Sequence, residues 1–152
     1  MTGPSNQAPV FEIGRIVVGR TLKLTMARTL AFSGGALDEP GWPQQNLHTS
    51  RDKALEAGLD AIIASGTQSE GLLIGLLIDT FGDRWHRAGT LEVRFLKPVR
   101  VGDSVRPGLR WSNRVDGLDS PRWVADVWCE NGAGVRVVEG TASCIAPEDS
   151  LA

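Results

Sequence analysis

The spacing of apolar residues changes once along this chain, at Gly89, and that change limits the folds open to it. Before it, the densest apolar segment holds Leu72, Leu73, Ile74, Leu76, Leu77 and Ile78. Its length predicts a helix over residues 68–81, with Thr67 at its start. Apolar residues nearly all round predict that other structure sheathes the helix on most sides. Gly71 and Gly75 lie one turn apart and would let a strand or second helix approach closely. After Gly89 the period is two, and residues 90–96, 104–114, 122–130 and 135–145 read as strands. Asn131-Gly132, between two alternating runs, is a hairpin signal. With an early extended segment over 11–24, broken by Gly14 and Gly19, the expected fold is α+β. An antiparallel sheet wraps a central apolar helix.

Shorter elements precede that helix. Thr25 caps a helix over 26–32 that Ser33-Gly34-Gly35 stops. Residues 36–45 form a loop punctuated by Pro40, Gly41 and Pro43, with Trp42 among them. Thr49 or Ser50 caps a helix over 51–57, ended by Gly58. Residues 82–87 are polar, carrying Trp85 and a surface His86, while Trp111, Trp123 and Trp128 fall in strand patterns as core or interface residues.

A length of 152 residues suits one domain, expected over 10–147. A disordered lead-in at 1–9, rich in Gly, Pro, Ser, Asn and Gln, and a tail at 148–152 flank it. A net charge of −2 argues against a nucleic-acid surface. Two histidines and two separated cysteines are too sparse for a metal site, so no metal or redox cofactor is expected. Cys129 and Cys144 sit in apolar β-like stretches as buried thiols. No secretory signal is visible and the longest apolar run is too short for a membrane span, which points to the cytoplasm.

Chemistry concentrates in two short segments. Gln45-Asn46-Leu47-His48-Thr49-Ser50 puts one of the two histidines just ahead of a helix, with Asp38 on the same loop. Ala64-Ser65-Gly66-Thr67 makes a small-residue turn into the central helix, whose first N–H groups can face an anion or a developing oxyanion. Asn46 braces the loop, and Trp42 either covers the site as part of a substrate wall or anchors the loop.

In order along the chain, Phe32, Asp38, Asn46-Leu47-His48, Ala54, Gly58, residues 62–66 and Pro98-Val99-Arg100-Val101-Gly102-Asp103 resemble the MaoC-like hydratase family, which has the hotdog fold. The chain departs from the family pattern in three ways: the proline of Asn-Pro-x-His is missing, the loop from Asp38 to His48 is longer, and Ser65 stands where the family has histidine. The resemblance implies an acid–base pair, Asp38 and His48, that adds or removes water at an α,β-unsaturated acyl thioester. It implies that Gly66, with Ser65 and Thr67, binds the thioester carbonyl, while Asn46 and Trp42 line the substrate. Coenzyme A or a carrier protein would carry the acyl group, and a homodimer is the expected assembly. Two alternatives keep the fold: an isomerase or cyclase of a natural-product pathway, and a non-catalytic partner subunit of a hydratase complex.

Overall fold

The computed structural model describes residues 11–117 and 120–146; the expected lead-in, the tail and part of the 116–119 turn lie outside them. Two short strands open the described chain, β1 (Ile16–Val18) and β2 (Leu22–Lys23). Four helices follow: α1 (Met26–Ser33), α2 (Arg51–Glu56), α3 (Gly66–Phe81) and α4 (Arg84–Ala88). The strands β3 (Thr90–Phe95), β4 (Ser104–Val115), β5 (Arg122–Asn131) and β6 (Arg136–Ile145) complete the order. All pair antiparallel in one sheet ordered β1-β4-β5-β6-β3, with β2 also on β4. This is the α+β hotdog arrangement expected from the sequence.

Alternation along the strands puts Val105, Leu109 and Trp111 of β4 on the same face as Trp123, Ala125, Val127 and Cys129 of β5. That face packs on Leu73, Leu76, Leu77 and Phe81 of α3. On the other face, ion pairs cross the strands: Arg94 with Glu139, Arg110 with Asp126, Arg106 with Glu130. Trp128 is also buried but lies on that outer face, over Gly108 and beneath the Arg136 guanidinium. Pro107 fits inside β4 because its carbonyl, and so the side of its missing N–H, faces Gly19 in the break between β1 and β2.

Several local expectations change. α3 begins at Gly66, two residues before the predicted start, because extended Ser65 is already the capping position and Thr67 lies in the first turn. The helix is sheathed on most sides, as expected, but the close approach of another element at its glycines does not occur. Gly71, Gly75 and Asp79 share an exposed stripe, and no atom comes within 4 Å of where a Cβ would stand on either glycine. The segment after α3 folds into α4, because buried Trp85 stacks on Phe81 at 6.1 Å between ring centres. The β5–β6 turn is longer than a two-residue hairpin. Asn131 accepts side-chain bonds from Ala133 and Val135 N–H, and the positive φ falls on Gly134, not Gly132.

Candidate active site

The loop after α1 is tied at its neck. Gln44 N–H donates to the Gly34 carbonyl at 2.8 Å. The Trp42 indole packs over Gly34 so closely that a Cβ there would sit 2.9 Å from Trp42 Nε1. The Trp42–Pro43 peptide is cis. Asn46 then fixes the next turn: its Nδ2 donates to the Ser33 carbonyl at 2.8 Å, and its Oδ1 accepts from His48 N–H at 2.9 Å. Thr49 Oγ1 donates to the Gln44 carbonyl at 2.6 Å and accepts from Asn46 N–H at 2.9 Å. An Asn side chain that bonds the backbone two residues on is the ordinary means of closing such a turn.

This bracing aims the imidazole at the strand-like segment ahead of α3. His48 Nδ1 lies 2.8 Å from the Ile63 carbonyl oxygen. A carbonyl can only accept, so Nδ1 carries the proton and Nε2 of the neutral ring keeps its lone pair. The carbonyl is itself fixed. Ile63 bridges to Arg100, Ala64 N–H donates to the Val99 carbonyl at 2.8 Å, and Val101 N–H to that of Ile62 at 3.1 Å. The Pro98–Asp103 segment thus positions the acceptor that orients His48. Gly102, at φ +100°, turns it back so that its N–H meets the Leu24 carbonyl.

Ser65 caps α3 in extended conformation without a side-chain cap bond, and its Oγ lies 2.7 Å from Thr67 Oγ1. The N–H groups of Gly66 and Thr67 precede the first intrahelical donor, so they are open to an acceptor from outside the helix. A Cβ at 66 would approach the Phe95 ring to 2.8 Å, so any larger residue there would have to displace that ring.

These pieces surround one cavity of about 390 Å³. His48, Ser65, Gly66 and Thr67 form one side; Phe95, Leu96 and Lys97, at the end of β3, face them with Val138. Four of the seven residues expected from the sequence are therefore together. Asp38, Asn46 and Trp42 do not line this cavity. Asp38 is exposed in the turn closed by Glu39 N–H to the Ala36 carbonyl. Asn46 spends its amide bracing the loop, and Trp42 is the anchor of the loop neck. Sequence reasoning missed the Phe95 wall. The strand pattern revealed β3, but only the pairing of Phe95 with Val138 on β6 shows which strand end meets α3.

No carboxylate lines the cavity, and Lys97 is its one formal cation among the described residues. Cys129 and Cys144 lie in the core as free thiols, and Cys129 Sγ donates to the Ser69 carbonyl at 3.3 Å. Burial pushes the Cys129 thiol up to about 12. Among the described residues no group of three or more His, Cys, Asp or Glu is placed to hold a metal ion. No helix there is long and apolar enough to cross a membrane.

Residues 43–119 match the family described as the MaoC-like domain, a span that contains His48, the Ser65–Thr67 turn and Pro98–Asp103 but begins after Asp38 and Trp42. Compared by sequence with the curated proteins, the chain matches none. Similar solved structures include the (R)-hydratase PhaJ1 of Pseudomonas aeruginosa, 25% identical, with TM-score 0.67 over 90% of this chain and 83% of that one. Another is the (R)-hydratase of A. caviae, 21% identical, TM-score 0.66, covering 90% and 97%. A third comes from the ChsH1–ChsH2 complex of Mycobacterium tuberculosis, 18% identical, TM-score 0.69, covering 90% and 98%.

Proposed function

The chain belongs to the MaoC-like domain family, and from that premise and the His48 cavity we propose that it adds water to, or removes it from, an α,β-unsaturated acyl thioester. One observation carries the proposal: the Nδ1 bond to Ile63 leaves Nε2 as a base in the cavity that borders the open first turn of α3. Nε2 takes a proton from water as its oxygen bonds to Cβ. The Cα–Cβ electron pair moves toward the thioester carbonyl, and the N–H groups of Gly66 and Thr67 stabilise the enolate oxygen. The imidazolium then returns its proton to Cα, so the balance closes with one water added. Ser65 and Thr67 hydroxyls flank the same oxygen. Asp38, the second acid–base group that the sequence suggests, stands outside the cavity, so both proton transfers fall to His48.

The Phe95, Leu96 and Val138 wall suits an acyl chain carried on coenzyme A or a carrier protein. β3 is an edge strand with Phe95 and Leu96 exposed beside the cavity, which supports pairing with a second copy in a homodimer. The free thiols support a reducing, cytoplasmic setting.

The test follows enoyl absorbance with crotonyl-CoA and longer thioesters. Turnover by the wild type and a loss of at least about 100-fold in His48→Ala support the reading; equal inertness of both across the panel overturns it. The missing carboxylate favours a second reading, a thioester-binding subunit that needs a catalytic partner. A lone chain that binds a saturated acyl-CoA but hydrates nothing would establish that one.

A further inference from the structure

The buried side of α3 carries two hydroxyl residues among its apolar ones, Ser69 and Thr80, 2% and 4% exposed. Thr80 Oγ1 donates to the Leu76 carbonyl at 2.7 Å, a bond by which a helical hydroxyl satisfies itself. Ser69 Oγ makes no such bond, nor any other among the described residues. The Ser69 backbone carbonyl accepts from the Cys129 thiol at 3.3 Å, which ties this turn of the helix to β5. A buried hydroxyl without a partner is costly, so it marks a place that water or a ligand completes. This one can be reached. Gln68 Nε2 next to it is sealed, but Ser69 Oγ keeps a little open surface, and Ser69 lines the His48 cavity.

Ser69 follows Gly66 by three residues and Ser65 by four, so it lies on their side of α3, one turn further in. Three residues span about 4.5 Å along the axis, close to the distance from a thioester oxygen held at Gly66 to a water poised over Cβ. The other two hydroxyls of the cavity, Ser65 Oγ and Thr67 Oγ1, bond each other at 2.7 Å. No carboxylate lines the cavity to hold a water beside His48. Among the described residues, Ser69 offers the one cavity hydroxyl whose lone pairs and proton are all unclaimed.

We infer that Ser69 Oγ holds the attacking water beside His48 and, after the addition, the β-hydroxyl of the product. The inference rests on the proposed hydratase chemistry at His48. The water gives one proton to Nε2 as its oxygen bonds to Cβ, and its second O–H donates to Ser69 Oγ. That second O–H is never broken, so the 3-hydroxyacyl thioester forms with its hydroxyl still bonded to Ser69. In the reverse direction the same bond places the hydroxyl that leaves as water once the imidazolium protonates it. Ser69 transfers no proton; it fixes where the water stands.

The test pairs turnover with binding, both on the full chain. Ser69→Ala should lower kcat for crotonyl-CoA hydration by at least about tenfold, as the loss of one hydrogen bond to the reacting water predicts, and leave KM within about twofold. Binding is then read by calorimetry in His48→Ala protein, where no turnover intervenes. One enantiomer of 3-hydroxybutyryl-CoA should bind about threefold or more tighter than butyryl-CoA. Adding Ser69→Ala should erase that preference and leave the butyryl-CoA affinity unchanged, which a packing role for Ser69 would not do. Full kcat in Ser69→Ala overturns the inference and leaves the hydratase reading intact. So does the absence of a hydroxyl preference, or a preference that survives Ser69→Ala. Inertness of the wild type toward crotonyl-CoA and longer thioesters removes the hydratase reading and this inference together.

Discussion

The two ends of α3 are built from different materials. At its C-terminal end Phe81 sits in a cluster of rings: Phe11, Trp85 and Trp111 lie 5.7, 6.1 and 5.6 Å from it, and Trp123 lies 5.6 Å from Trp111. At its N-terminal end the residues are Ser65, Gly66 and Thr67, and a cavity opens beside them. Large rings bury the most apolar surface per residue, while small residues leave backbone N–H groups within reach of a ligand. The contrast shows one helix holding the fold at one end and leaving room for chemistry at the other.

The largest expected effect falls at the packed end. Trp111, 1% exposed, is central to the ring cluster, and Trp111→Ala should lower unfolding free energy by about 3–5 kcal/mol in urea titration. The remaining folded protein should keep its turnover number; a parallel loss would show that the two ends are not separable. His48→Ala is the converse case. It should cost at least about 100-fold in kcat/KM while moving stability by about 1 kcal/mol or less.

Asn46→Ala sits between these. It removes the bonds to Ser33 and to His48 N–H, so stability should fall by about 1–3 kcal/mol. The turnover number should fall with it, because the imidazole loses its brace. A variant with full turnover would show that the Ile63 bond alone orients the ring.

Cys129 probes the core in another way. Its thiol is pushed from 9.0 to about 12 in the folded chain, so the unfolded state loses its proton first as pH rises. Stability is therefore full below pH 9 and declines from there toward pH 12, by at most about 1.4 kcal/mol per pH unit from this group. Cys129→Ala should flatten that decline in denaturation curves taken across the range. The smallest effect belongs to the exposed stripe. Gly75→Ala meets open space and should stabilise α3 by about 0.5–1 kcal/mol, read as a rise in Tm.

Legibility followed the range of the interactions. The period change at Gly89 was enough for the strands, because alternation is a local consequence of burying one face. α1 was legible from Thr25, whose Oγ1 does accept from Arg28 N–H, and Gly34 ends it. The site was half legible. His48 and the Ser65–Thr67 turn are short local signatures that the fold brings together. Phe95 and Val138 join them through a pairing 43 residues long-range in sequence, which no window of residues carries.

By itself, then, the sequence determined the long elements, their buried faces and the imidazole beside a glycine turn, since each depends on neighbours a few residues apart. The tertiary structure alone decided which tautomer His48 presents, since the Ile63 carbonyl is held by a distant loop. It also decided that Asp38 stands outside the cavity and that Gly71 stays open rather than admitting a neighbouring element. Those outcomes turn on which surfaces meet in space, and close packing sets that only once the sheet has folded against the helix.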